Sequence, residues 1–200
     1  FIGRTHFRVC MSTLGRVKCA VLGARGLVAQ RLLQRLVDHH WFAPVCVIGS
    51  SESNGMKISE LPWSFPEPRP HYPELCVTGV GQDGDLAKRL ISEGVSIVFS
   101  ALPDSPASQI EEDLAMSGLV VISHSTIHRH SEKVPLIVPE VNNGHLKLTD
   151  SQTEYEGGML VSCSNCMVVP LAISLAPLIR SLPVDSVIIT TEQSLSGGGR

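Results

Sequence analysis

Short apolar runs alternate with stretches of helical period along most of the chain, and this alternation limits the possible folds more than any other feature. Val17–Leu22 is an apolar run closed by Gly23. Leu27–Val37 follows, with leucines at 27, 32, 33 and 36 and Arg and Gln on the other face, the pattern of an amphipathic helix. Val45–Gly49 reads as a second buried strand and Leu75–Gly79 as a weak one. Asp85–Glu93 predicts a helix ended by Gly94, and Val95–Leu102 a strong strand stopped by Pro103. Ser105–Ser117 predicts another helix with Gly118 in the stop position, and Leu119–Ser123 another strand. Strand, helix and strand in repetition predict an α/β protein with a parallel sheet and helices on both faces.

Two segments break the rhythm. Between Ser50 and Pro73 the chain is rich in Ser, Glu and Pro, with prolines at 62, 66, 68, 70 and 73, so a long excursion is expected. After about residue 150 the pattern changes. Gly158–Ser162 reads as a strand, and Asn165 or Cys166 opens a helix to about Ser181, with Pro170 tolerable in its first turn. Val184–Thr191 is a β-rich run leading to three glycines before Arg200, a pattern expected of a truncation inside a second domain. The expected division is an extension over 1–15 (with Met11 as a plausible start), a nucleotide-binding domain over 16–150, and the beginning of a further domain over 151–200.

Composition removes several classes. The formal charge is −3 and nine residues are aromatic, which gives no electrostatic or stacking basis for nucleic-acid binding. Gly157–Ile179 holds no charge over 23 residues, but Pro170, Pro177, Asn165 and its serines make a poor lipid-facing helix, so no membrane partner is expected. Six dispersed cysteines (10, 19, 46, 76, 163 and 166) fit a reducing compartment rather than a disulfide scaffold. Seven Lys/Arg precede the first acidic residue, Asp38, as in a transit peptide. They run on into the first strand and helix, so the cytoplasm is the expected location.

Four places bear chemistry. Gly23-Ala-Arg-Gly26-Leu-Val-Ala29 joins a strand to a helix, where glycines let backbone approach a pyrophosphate and the helix start supplies amide donors. A tight turn with no ligand also needs glycine. Ser50-Ser-Glu-Ser-Asn-Gly55 follows the second strand, where such folds meet the adenosine ribose; the alternative is a polar turn. Ser162-Cys-Ser-Asn-Cys166 sits between a strand and a helix start, where a thiolate is stabilised; a redox pair and a buried structural cysteine are the alternatives. Zinc needs about four ligands, and neither a second CxxC nor a His pair lies close to this CxxC in sequence, so no metal is expected. His124, His128 and His130 read as polar loop residues, and Arg129 among them is suited to clamping an anion.

Taken in order, several blocks resemble the aspartate-semialdehyde dehydrogenase family, nearest its archaeal and fungal type. They are VLGARGLVAQR at 21–31, VFSALP at 98–103, VPLIVPEVN at 134–142 with HL at 145–146, SNC at 164–166, and TEQSLSGGG at 191–199. The resemblance covers about residues 16–200. It implies a Rossmann-type domain followed by the start of an α+β catalytic and dimerisation domain. It also implies reversible, NADP-dependent reductive dephosphorylation of L-aspartyl 4-phosphate, in the biosynthesis of lysine, threonine, methionine and isoleucine.

Residue by residue, the resemblance makes Cys166 the nucleophile that forms a thioester, with Gln193 orienting the substrate. Arg129 and Asn165 are implied to contact the substrate, its phosphate or its oxyanion. Gly23, Arg25, Gly26, Leu27 and Val28 are implied at the pyrophosphate, Ser50, Glu52 and Ser53 at the ribose, and Ser100, Ala101, Leu102, Ser196 and Gly197 also along the cofactor. Implied partners are the small-molecule substrate and phosphate, and a second copy or more in a homo-oligomer of the whole protein. The chain departs from the family at Arg25 (usually Thr), Ala29 (usually Gly), Glu52 (usually Arg), His124 (usually Asn) and Arg200 (often Tyr). Glu52 makes NAD a possible cofactor beside NADP, because a carboxylate suits a free 2′-hydroxyl. The family's acid/base His lies beyond this sequence, so the chain is expected to be a fragment or degenerate copy with little turnover alone. Two alternatives are an acyl-CoA reductase of the malonyl-CoA type and a non-catalytic nucleotide-binding paralogue.

Overall fold

A computed structural model describes residues 15–81 and 85–192. The expected extension over 1–15 therefore lies, apart from its last residue, outside the described residues. The described residues contain seven strands: β1 Val17–Leu22, β2 Phe42–Gly49, β3 Val77–Gly79, β4 Ile97–Ser100, β5 Val120–Ser123, β6 Leu136–Ile137 and β7 Met159–Cys163. They form one sheet in the order β3-β2-β1-β4-β5-β7-β6, and every neighbouring pair is parallel. The helices are α1 Leu27–Leu36, α2 Leu86–Ser92, α3 Asp104–Met116, α4 Pro139–Asn142 and α5 Val168–Ser181.

Strand alternation sends successive side chains to opposite faces, and each face has its own core. On one side Ala20, Leu22, Val98, Val121 and Leu160 pack with Ala87 and Leu90 of α2 and Leu114 and Ala115 of α3. On the other, Cys19, Val21, Val47, Ile97 and Val120 pack with Ala29, Leu33 and Leu36 of α1. The predicted two-faced α/β sheet is thus present. Its helix stops are as expected too: Gly94 and Gly118 take φ of +80° and +90° just past α2 and α3.

The excursion over 50–73 folds back onto the sheet through short 3₁₀ turns at Ser51–Ser53 and Ile58–Glu60, and buries Ile58 and Leu61. Two expectations near the C-terminal end are corrected. The β-rich run Val184–Thr191 forms no strand, since β-propensity needs a neighbouring strand to accept its hydrogen bonds and none pairs with it among the described residues. The last helix begins at Val168, not at Asn165 or Cys166. Asn165 still supplies its first acceptor, because the amides of Val168 and Val169 both donate to Asn165 O at 3.0 Å.

Candidate functional site

The chain leaves β1 for α1 at the centre of the sheet, where strand order reverses between β1 and β4. Such a switch point opens a crevice at the strands' carboxyl ends. The turn there is tight: the amides of Gly23 and Ala24 donate to Ile48 O at 2.8 and 3.0 Å, and Gly26 N donates to Gly23 O at 2.8 Å. Gly23 has φ +91°, and a Cβ on it would lie 2.5 Å from Ala101 O. Ala101 in turn donates its amide to Leu22 O at 3.0 Å, which fixes residues 100–102 beside the turn.

Gly26 caps α1 with no side-chain hydrogen bond. The first-turn amides, including those of Leu27 and Val28, have no acceptor within the helix. Glycine backbone at the switch point and an uncapped helix start together fit a dinucleotide pyrophosphate.

Sequence reasoning missed the residue that braces this turn. Gln30 is fully buried; its Nε2 donates to Arg25 O at 3.0 Å and Pro62 O at 3.1 Å, and its Oε1 accepts from Ser64 N at 2.9 Å. One side chain thereby ties the glycine turn to the proline-rich excursion. Its place on the inward face of α1, one residue after Ala29, was the available signal.

At the loop after β2, Ser50 caps the 3₁₀ turn and Ser53 is wholly buried, while Glu52 is exposed. Arg25 Nη1 reaches Glu52 Oε2 at 3.2 Å, so two of the family departures face each other in an exposed ion pair. Solvent screening holds such a pair to about 1 kcal/mol or less.

A second cluster lies further along the same carboxyl edge. Ser100, Ser123 and Ser162 stand in register across β4, β5 and β7, all buried on the α3 side of the sheet. The loop from 124 to 131 rises from β5 above them. Asp104, the first residue of α3, accepts hydrogen bonds from Ser125 Oγ at 2.6 Å, Thr126 N at 2.8 Å and the Thr126 hydroxyl. The two hydroxyls, followed by the amide, hold the Asp104 carboxyl at a pKa of about 2. His124 lies against Ser100 O, with Nδ1 at 3.1 Å, and burial pushes its imidazole pKa down.

Arg129 spans the gap to β7: its Nε donates to Cys163 O at 3.2 Å and its Nη2 to His124 O at 3.1 Å. Burial raises the Cys163 thiol, while the Arg129 charge works the other way. Asn165 Oδ1 accepts from Met167 N at 2.8 Å, and Cys166 is exposed beside it, ahead of α5. The structure thus brings Arg129 to the root of the segment that carries Asn165 and Cys166. Cys163 and Cys166 form no disulfide. Gln193, Ser196 and Gly197 lie outside the described residues.

The histidine trio is not uniformly a polar loop. His128 is buried, with Nε2 3.0 Å from Oε2 of Glu111, a fully buried carboxylate on α3. Glu111 lies on the inward face of α3 with Ala107, Leu114 and Ala115, so helical periodicity alone marked it as a buried charge needing a partner. Among the described residues no group of three or more His, Cys, Asp or Glu is placed to hold a metal ion. No helix there is long and apolar enough to cross a membrane.

Comparison with known proteins agrees with this geometry. Residues 18–149 match the model of the semialdehyde dehydrogenase NAD binding domain. An aspartate-semialdehyde dehydrogenase from Archaeoglobus fulgidus is 34% identical over 188 residues, covering 92% of this chain and 52% of that protein. A malonyl CoA reductase (NADP) from Metallosphaera sedula is 34% identical over 186 residues, covering 92% of this chain and 50% of the relative. The crystal structure of aspartate semialdehyde dehydrogenase with NADP from Candida albicans superposes with a TM-score of 0.67 at 28% identity, covering 83% of this chain and 47% of the other. The chain spans about half the length of the curated relatives it matches.

Proposed function

Because the chain belongs to the semialdehyde dehydrogenase family, we propose that it forms the cofactor-binding and thiol-bearing part of an aspartate-semialdehyde dehydrogenase. The reaction is the reversible, NADP-dependent conversion of L-aspartyl 4-phosphate to L-aspartate 4-semialdehyde and phosphate, in biosynthesis of the aspartate-derived amino acids. Residues to about 150 hold the nucleotide, and the remainder opens the catalytic and dimerisation unit of a cytoplasmic homo-oligomer. The observation that carries this reading is the hydrogen bond from Arg129 to the carbonyl of Cys163, which sets a guanidinium beside the Ser164-Asn165-Cys166 segment.

Each residue then has a task. Cys166, as thiolate, attacks the acyl carbon, forms a thioester and releases phosphate. Arg129 keeps guanidinium N–H donors beyond the two spent on backbone, and these receive the anionic group of the substrate. Asn165 uses its Oδ1 on Met167, which leaves its Nδ2 donors for the phosphate or oxyanion. Gln193 orients the substrate. The turn over 23–28 with residues 100–102, Ser196 and Gly197 would hold a nicotinamide dinucleotide, which when bound supplies the hydride chemistry. Ser50, Glu52 and Ser53 form its ribose loop.

Incubating the chain with L-aspartyl 4-phosphate should release phosphate and add an aspartyl mass to Cys166, read by peptide mass spectrometry and abolished by Cys166→Ser. The second reading, favoured by the malonyl CoA reductase relative, predicts a malonyl adduct from malonyl-CoA instead. Cofactor binding with neither adduct would leave a nucleotide-binding paralogue.

Cofactor choice turns on the Arg25–Glu52 pair. A carboxylate at this loop accepts from a free 2′-hydroxyl and repels a 2′-phosphate. NAD is expected to bind at least as well as NADP, and Glu52→Arg to shift preference toward NADP by about tenfold, a difference of about 1.4 kcal/mol. Calorimetric titration of both cofactors checks this, and an unchanged preference in the variant removes Glu52 from the choice.

A further inference from the structure

The loop that carries Arg129 approaches α3 at two points about two helical turns apart. At the first residue of the helix, Asp104 grips Ser125 and Thr126. Further along, Glu111 meets His128 at 3.0 Å, with side-chain exposures of 0% and 5%. The second tie is unusual because a charged residue sits where the helix otherwise presents Ala107, Leu114 and Ala115 to the core. Ser100 and Ser162 close the same buried layer; among the described residues their hydroxyls, both Glu111 carboxylate oxygens and His128 Nε2 have no hydrogen-bond partner.

A buried carboxylate carries a large desolvation cost, and well-packed apolar residues would often serve stability as well or better. Packing alone therefore gives no reason for a carboxylate and an imidazole here. His128 directly precedes Arg129, and the Arg129 amide is bonded to Thr126 O at 3.1 Å, so the loop transmits any shift of His128 to the guanidinium. We propose that Glu111 is a positioning residue: its buried contact with His128 sets the loop that aims Arg129 at the substrate's anionic group. This inference rests on the reading of Arg129 as the anion clamp. Glu111 Oε2 and His128 Nε2 stand 3.0 Å apart without hydrogen-bond geometry, so the two groups attract as an ion pair when the imidazole carries both of its protons.

The probe is inorganic phosphate, read by its protection of Arg129 from phenylglyoxal with peptide mapping. In the unaltered chain phosphate should protect Arg129 in a saturable way; absence of protection overturns both the clamp reading and this inference. Glu111→Gln and His128→Asn should each raise the half-protecting phosphate concentration about tenfold, below the ~100-fold that a 1 Å misplacement can produce. NADP affinity should hold, since its site lies at the β1–α1 turn.

Removing one partner of a buried pair can unfold a protein, so the deciding variant is the double Glu111→Leu/His128→Leu, which replaces the pair by apolar bulk. If the pair positions Arg129, the double variant melts like the unaltered chain yet binds phosphate about tenfold more weakly. If phosphate protection returns to its original concentration dependence in that folded double variant, the pair is structural and the inference falls.

Discussion

Two regions of this molecule are both rich in apolar residues and meet opposite fates. From β1 to β7 the sheet buries side chains on both faces, and Leu22, Ile48, Leu114 and Leu160 are 0–1% exposed. From Cys163 to Glu192 not one described residue is buried, although α5 reads VVPLAISLAPLIRS. Ile188 is 96% exposed. Among the described residues α5 leans on the short α4, where Arg180 Nη2 donates to Val141 O at 2.9 Å. Hydrophobic sequence creates a demand for burial, and a complementary face in the fold must meet it. The two regions meet at Cys163, where the proposed chemistry lies.

The cysteines test this contrast most strongly. Cys19 is wholly buried in the sheet and burial pushes its thiol up to about 12, while Cys46 rises to about 11 for the same first reason. Cys166 is exposed in the other region. Because the thiolate is the nucleophile, iodoacetamide near neutral pH should alkylate Cys166 more than about a hundredfold faster than Cys19 or Cys46. Cys163, half-buried with a raised pKa, should fall between. Comparable rates at Cys19 and Cys166 would mean that the sheet opens on the labelling timescale.

Next comes the cost of truncation. Leu160→Ala removes a side chain that packs against both α3 and the central strands, so about 3 kcal/mol should be lost in urea unfolding. Ile188→Ala should change stability by no more than about 0.5 kcal/mol, as for surface sites elsewhere. A loss above about 2 kcal/mol at Ile188 would show that the 182–192 run is packed in solution and erase the contrast.

The same contrast explains what was legible in the sequence. The sheet and its helices were readable because their signals are local: periods of two and 3.6, and glycines past α2 and α3. The glycine turn was readable because backbone at a switch point needs residues without Cβ. Val184–Thr191 misled because a strand exists only with a neighbour, and propensity does not encode whether one is there. At the proposed site, Arg129 was legible as a residue type suited to anions and Cys166 as a thiol ahead of a helix, while an acyl-transfer role for Cys166 was implied only by the family resemblance. The second layer was less so. Gln30 and Asp104 act through loops distant in sequence, and only the fold brings Pro62 or Thr126 to them. Glu111 stood on a visible helical face, but its partner came from a loop read as solvated.

The smallest expected effect lies at the border of the two regions, where Asp104 ties the 124–131 loop to α3. Its carboxyl is held at about 2, below the ordinary value, first by the Ser125 and Thr126 hydroxyls and then by the Thr126 amide. A depressed carboxyl pKa means that the ionised form is favoured by folding, so its stabilisation is complete above the unfolded pKa of about 4. That stabilisation fades as pH falls from about 4 through 2. Asp104 is exposed, and solvent screening reduces its share to about 1 kcal/mol or less. Asp104→Asn should therefore be less stable than the unaltered chain by that amount at pH 7, with the gap closing as pH approaches 2. Urea titrations of both proteins at pH 7, 4 and 2.5 measure the gap. A gap that stays constant with pH would assign the tie to shape rather than to the charge of Asp104.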